Sequence, residues 1–131
     1  MVNYCLDTGI LIAFFKNDYS IINKIEHIKN DNQISTTVIN LCELYRGAFN
    51  SLNREKELSF IDALVSRISI LDLDHISSKL FGELYVKLQK QGKIVDDFDL
   101  IISSIAKKHN AIIVTRNKKH FVNSGIRVEE W

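Results

Sequence analysis

The stretch VNYCLDTGILIAFF, residues 2–15, decides the reading of the fold. Val2 to Leu6 is a short, mostly apolar run with the composition of a buried strand. Asp7-Thr8-Gly9 interrupts it, and a second apolar run begins at once at Ile10 and continues to Phe15. A strand that ends on a polar turn and feeds directly into a helix is the opening of a βα unit. The same alternation repeats along the chain. Tyr19 to Asn30 carries Ile21, Ile22, Ile25 and Ile28 as a helical stripe, Asp31-Asn32 closes it, and Gln33 to Ser35 reads as a second short strand. Thr36 or Thr37 then caps a helix running to about Phe49. Asn53 to Ile68 is another amphipathic helix, Ser69 to Leu73 a strand, and His75 to Gln91 a helix that Gly92 ends. Phe98 to Lys108 is the next helix, Ala111 to Thr115 a strand, and Ile126 to Val128 a final short one.

Strands alternating with connections of helical length, without hairpin dipeptides, predict an α/β layer fold around a mostly parallel sheet. The chain has no Pro and only five Gly, so no linker is visible, and residues 1–131 are expected to form a single domain. That length suffices for one core. A net charge of +1 removes any global field for nucleic acid or membrane surfaces, leaving only local patches. Cys5 and Cys42 lie in apolar stretches with neither zinc nor disulfide spacing, and are expected to be reduced core residues of a cytoplasmic protein. Asp7 breaks the first apolar run, and no run approaches about 18 apolar residues, so neither a leader nor a membrane span is expected.

The polar residues that matter are carboxylates at the ends of these elements. In an open parallel sheet, ligands bind beyond the carboxyl ends of the strands, where Asp7 is placed. Its structural alternative is an N-cap for the helix beginning at Thr8. Glu43 sits in INLCELYRG, residues 39–47, a helix otherwise apolar from Val38 to Tyr45 except for Asn40. A carboxylate there needs solvent, a cation or a donor, and a pair with Arg46 is as good a reading as a functional role. In VDDFDLIISS, residues 95–104, Asp96, Asp99 and Ser103 share one helical face, while Asp97 diverges toward solvent. Capping explains one of these acids well and two less well. Acids at a helix start are expected to stay ionised, and neighbouring carboxylates then need a cation. Oxygen ligands suit Mg²⁺ or Mn²⁺, and the four His lack metal-motif spacing. Downstream, IIVTRN (residues 112–117) delivers Thr115, Arg116 and Asn117 toward the same edge. Lys118, Lys119, Lys107 and Lys108 add the positive charge that would suit a phosphodiester.

The segments LDTGILIAFF, INLCELYRGA, DDFDLIISSIAKKHNAIIVTRNKKHF and IRVEEW, in this order and spacing, resemble the PIN-domain ribonucleases, specifically the VapC toxins of VapBC toxin-antitoxin pairs. The resemblance spans essentially the whole chain. It implies an α/β/α sandwich with a central mostly parallel sheet, and an acidic pocket that uses Mg²⁺, or Mn²⁺, to cleave RNA. By resemblance Asp7, Glu43 and Asp99 are the family's acids, Asp96 an auxiliary ligand, and Thr8 the hydroxyl that follows the first acid. Thr8, Arg116, Asn117, Lys118 and Lys119 are the candidate substrate contacts. It also implies a homodimer and a VapB-like antitoxin whose C-terminal segment wraps the toxin. Two departures stand out: Gly9 replaces the usual Asn or Ser, and Asn117 stands where some members carry a fourth acid. The rival readings are a degraded pocket serving an RNA-binding or assembly module, and a phosphatase using Asp7 as nucleophile. The latter lacks its Asp-x-Asp pair because Gly9 fills the second position.

Overall fold

The computed structural model describes residues 1–121 and 124–131. The opening βα unit is present as β1 (Asn3–Leu6) and α1 (Thr8–Phe15), followed by α2 (Tyr19–Ile28) and β2 (Gln33–Thr37). Then come α3 (Val38–Phe49), α4 (Arg54–Val65), β3 (Ser69–Leu71), α5 (His75–Lys90), α6 (Asp97–Lys108) and β4 (Ile112–Thr115). A 3₁₀ turn at Lys118–His120 and β5 (Val128–Glu130) complete the described elements. The order across the sheet is β3-β2-β1-β4-β5, and every pairing is parallel. The predicted α/β class and mostly parallel sheet agree with this architecture.

Alternation along the short strands divides the core into two layers. Leu6 and Val114 face one side, with Ile10 and Leu11 of α1, Ile21 of α2, Leu44 of α3 and Ile61 of α4. Cys5 and Ile113 face the other, against Ile102, Ile105 and Ala106 of α6. Leu84 and Leu88 of α5 pack on Leu100 of α6. The result is an α/β/α sandwich in which β1 and β4 are covered on both faces, as their continuous apolar character requires.

Stop and start signals act where the chemistry predicts. Gly92, at φ 69°, follows the end of α5, and Asn110, at φ 52°, turns the chain out of α6 into β4. Thr37 caps α3, which resolves the choice between Thr36 and Thr37. Cys42 departs from expectation. It is exposed, because INLCELY is a helix and its period turns Cys42 outward between the buried Asn40 and Leu44, whereas Cys5 is buried as predicted. No described helix is long and apolar enough to cross a membrane.

Candidate active site

Asp7 leaves the carboxyl end of β1 in the N-cap position of α1, but its side chain makes no capping bond. Asn40 Nδ2 instead donates to Asp7 Oδ1 at 3.0 Å, and the Thr115 hydroxyl donates to Oδ2 at 2.8 Å. The capping alternative therefore fails for Asp7: its oxygens are held by α3 and β4 and are turned away from the start of α1. Cys5, beneath it, is fully buried, and burial together with the Asp7 charge pushes its thiol up to about 12.

Glu43 likewise declines its structural alternative. Among the described residues it forms no ion pair with Arg46; its Oε1 accepts from the Thr8 hydroxyl at 2.8 Å. Asp96 does cap α6, accepting from the backbone N–H groups of Phe98 (2.9 Å) and Asp99 (3.4 Å). Asp97 is exposed, as predicted, and Ser103 is buried one turn below Asp99. Asp7, Glu43, Asp96 and Asp99 then line one cavity of about 510 Å³, with Thr8, Ile94 and Val95. Lys119 and His120 complete its wall, and His120 Nδ1 lies 3.8 Å from Asp99 Oδ2.

The expected lowering of these acids by the helix start is reversed in direction at Asp99, whose carboxyl is pushed up to about 6, although it stays mostly ionised at neutral pH. Burial is the main cause and the charge of Asp96 the next; His120 opposes them, and Asp7 and Glu43 add to the rise. Three neighbouring carboxylates and desolvation outweigh the α6 dipole.

This environment is short of positive charge, which is the condition a cation relieves. Among the described residues no three acidic, imidazole or thiol groups stand close enough together to enclose an ion by themselves. An all-oxygen set that leaves room for water fits a hard divalent ion, which keeps part of its hydration shell.

The basic candidates separate. Lys119 lines the cavity, while Arg116 reaches Asp18 at the start of α2 at 2.5 Å and helps hold that carboxyl below its usual range. Asn117 and Lys118 are not among the cavity residues; the Lys118 N–H donates to Glu130 Oε1 at 3.1 Å. Lys107 and Lys108 end α6, roughly 12–14 Å along the axis from Asp99 at 1.5 Å per residue, and Lys108 pairs with Asp74 at 2.7 Å. They do not rim this pocket.

Two residues at the site escaped the sequence reading. His120 has no metal-motif spacing in the sequence, but its place just after IIVTRN puts it within reach of the pocket. Asn40 was visible as the one polar interruption in an apolar helix, and that was its signal.

A family model described as PIN domain matches residues 4–124. A tRNA(fMet)-specific endonuclease VapC from Shigella flexneri is 33% identical over 132 residues, covering 100% of this chain and 99% of its own length. Ribonuclease VapC2 of Rickettsia felis is 35% identical over 130 residues, covering 98% and 97%. Among solved structures, VapBC2 from Rickettsia felis bound to a promoter DNA fragment superposes with a TM-score of 0.92 at 33% identity, over 99% of both chains. VapBC-1 from nontypeable Haemophilus influenzae does so at 0.86 and 30%, over 99% of this chain and 98% of that one.

Proposed function

Because this chain belongs to the PIN-domain family, we propose that it is the toxin of a type II toxin-antitoxin pair, a metal-dependent endoribonuclease acting in the cytoplasm. The observation that carries the reading is the convergence of Asp7, Glu43, Asp96 and Asp99, from separate parts of the chain, on one cavity with Lys119 and His120 on its wall. Asp7 and Asp99 would hold Mg²⁺, or Mn²⁺, with Glu43 and Asp96 completing the acidic cluster. When bound, the ion supplies electrostatic stabilisation of the charge that builds on the phosphate and its leaving oxygen.

The protein's own groups do the rest. Thr115 and Asn40 keep Asp7 from rotating. Glu43, with Oε1 held by Thr8, uses Oε2 to accept a hydrogen bond from the attacking water and orient it. Lys119 and His120 bind phosphates flanking the scissile bond. Thr8 positions Glu43 rather than contacting RNA. Ile94, almost fully exposed, and the partly buried Val95 line the open side of the cavity.

A second groove, about 580 Å³, runs between α1, α3 and α4 and is lined by Ile12, Phe15, Leu44, Ala48 and Phe60. It shares Glu43 with the acidic cavity. An antitoxin segment with apolar anchors and one cationic side chain fits this pair of sites, occupying the groove and neutralising the acids. Its relatives crystallise as VapBC complexes, some on DNA, which supports a VapB-like partner here.

The test is to incubate the purified, antitoxin-free protein with total RNA and with initiator tRNA, chosen because the Shigella relative is named for it. Reactions contain Mg²⁺, Mn²⁺ or EDTA, beside Asp7→Asn. Discrete, metal-dependent cuts lost in Asp7→Asn are expected. Cleavage indifferent to EDTA and to that substitution refutes the assignment, and no cleavage of any RNA gives first place to a binding module.

A further inference from the structure

Two helices begin with the same device. Thr37 and Asn40 form a reciprocal capping box at α3, and Asp74 and Ser77 form one at α5. In each, the first side chain accepts from the backbone N–H of the second residue, and the second side chain accepts from the backbone N–H of the first. Asn40 and Ser77 are both 0% exposed. The boxes differ in what remains unspent. The Ser77 hydroxyl turns back to Asp74 Oδ1 at 2.7 Å. The Asn40 amide has two donors its box does not use, and both leave the helix, to Asp7 Oδ1 at 3.0 Å and to Thr8 Oγ1 at 3.0 Å.

The direction of this amide is fixed by its neighbours. Its oxygen accepts from the Thr37 hydroxyl at 2.7 Å and from the Thr37 N–H at 3.3 Å. A backbone N–H cannot face an NH₂ group, so oxygen and nitrogen cannot be exchanged. Thr8 Oγ1 must then accept from Asn40, and its single proton goes to Glu43 Oε1 at 2.8 Å. One buried amide therefore aims two acids, Asp7 directly and Glu43 through Thr8.

We propose that Asn40 is a positioning residue of the acidic site, holding Asp7 and Glu43 in the arrangement that shares a divalent cation. This rests on the metal-dependent ribonuclease reading. Without the amide, Asp7 Oδ1 and the Thr8 hydroxyl lose their buried donor, and Glu43 loses the constraint that sets its direction. Removing an outer partner of this kind costs roughly 10- to 100-fold in metal affinity or activity.

The test compares Asn40→Ala, Asn40→Ser and Ser77→Ala with the wild type. Asn40→Ser copies the α5 box, keeping the helix capped while withdrawing both outward donors, and Ser77→Ala removes the matching partner from α5. Two readouts are taken: the rise in melting temperature on titrating Mg²⁺ into metal-free protein, and kcat and KM on one RNA. Ser77→Ala is expected to lower the metal-free melting temperature by a few degrees and leave the Mg²⁺ response and kcat within about threefold. Both Asn40 variants are expected to need about tenfold more Mg²⁺ and to lose about 10- to 100-fold in kcat, with KM within about threefold. Should Asn40→Ala fail to fold, Asn40→Ser still decides. Wild-type metal response and kcat in Asn40→Ser overturn the proposal and leave Asn40 as a cap. A wild-type protein that neither responds to Mg²⁺ nor cuts RNA overturns the ribonuclease reading as well, and is recognised by the wild-type row alone.

Discussion

Asp99→Asn should make the metal-free protein more stable at neutral pH while abolishing its activity. The Asp99 carboxyl titrates at about 6 in the fold, against 3.8 for the free group, so folding takes up a proton between these values. For a group raised in this way the stabilising contribution is present in full below the unfolded value and is lost as pH rises through the folded value. Above pH 7 the folded state carries a penalty of up to about 3 kcal/mol at 1.36 kcal/mol per unit. The side chain keeps 24% of its surface exposed and opens onto a solvent-filled cavity, so screening about halves this figure, to about 1.5 kcal/mol at pH 7.5. Partial titration leaves about 0.5 kcal/mol at pH 4.5.

Asn at this position keeps the shape and cannot ionise. In EDTA its melting temperature should exceed that of the wild type by about 5 °C at pH 7.5, shrinking to about 2 °C at pH 4.5. Saturating Mg²⁺ should narrow or reverse the order, since ten times Kd contributes about 1.4 kcal/mol to the wild type alone. Melting curves across pH 4.5 to 8, with EDTA and with Mg²⁺, supply the measurement. A metal-free Asp99→Asn protein less stable than the wild type at pH 7.5, or a gap that does not change with pH, refutes the reasoning.

The basic side chains should separate kinetically. Lys119→Ala is expected to raise KM for RNA about three- to tenfold with a smaller change in kcat, whereas Arg116→Ala, which breaks only the exposed pair with Asp18, should leave both within twofold. Equal effects on KM would place RNA along Arg116 as well. The thiols should separate chemically: in native, antitoxin-free protein Cys42 should react with a thiol reagent within minutes at pH 8, and Cys5 only on unfolding. Two fast thiols would contradict the burial of Cys5.

Most strands and helices were legible in the sequence because they carry their own period or stop signal, from the Ile stripe of α2 to Gly92 after α5. The short β3 and β5 lack one, and their bounds differ: β3 ends at Leu71 rather than Leu73, and β5 spans Val128–Glu130 rather than Ile126 to Val128. The facing of single side chains was less so. Asp7 reads as a cap from its place in the chain, and only the arrival of Asn40 and Thr115 from elsewhere shows why its side chain turns away. Cys42 sits among apolar neighbours that contact the core through a helix face it does not share. Lys107 and Lys108 are close to the acids in sequence, and helical rise carries them to the far end of α6. The acids themselves were legible as types at strand and helix ends, and Asp96 at three-residue spacing was a visible neighbour of Asp99. The main cause of the upward push on Asp99 is burial, to which Asp7 and Glu43 add from other elements, and no local spacing encodes either.

The sheet order bears on when the acidic site can assemble. Asp7 directly follows β1, yet the strand beside β1 that supplies Thr115 is β4, and Asp7 and Thr115 are 108 residues apart. Asp96 and Asp99 also arrive only with α6, immediately before β4. A half-made chain carries Asp7 and Glu43 but has no cavity to put them in, and contacts of such long sequence separation form late. Until α6 has formed and β4 has paired beside β1, the acidic cavity is incomplete, so the site exists only as a product of the finished sheet.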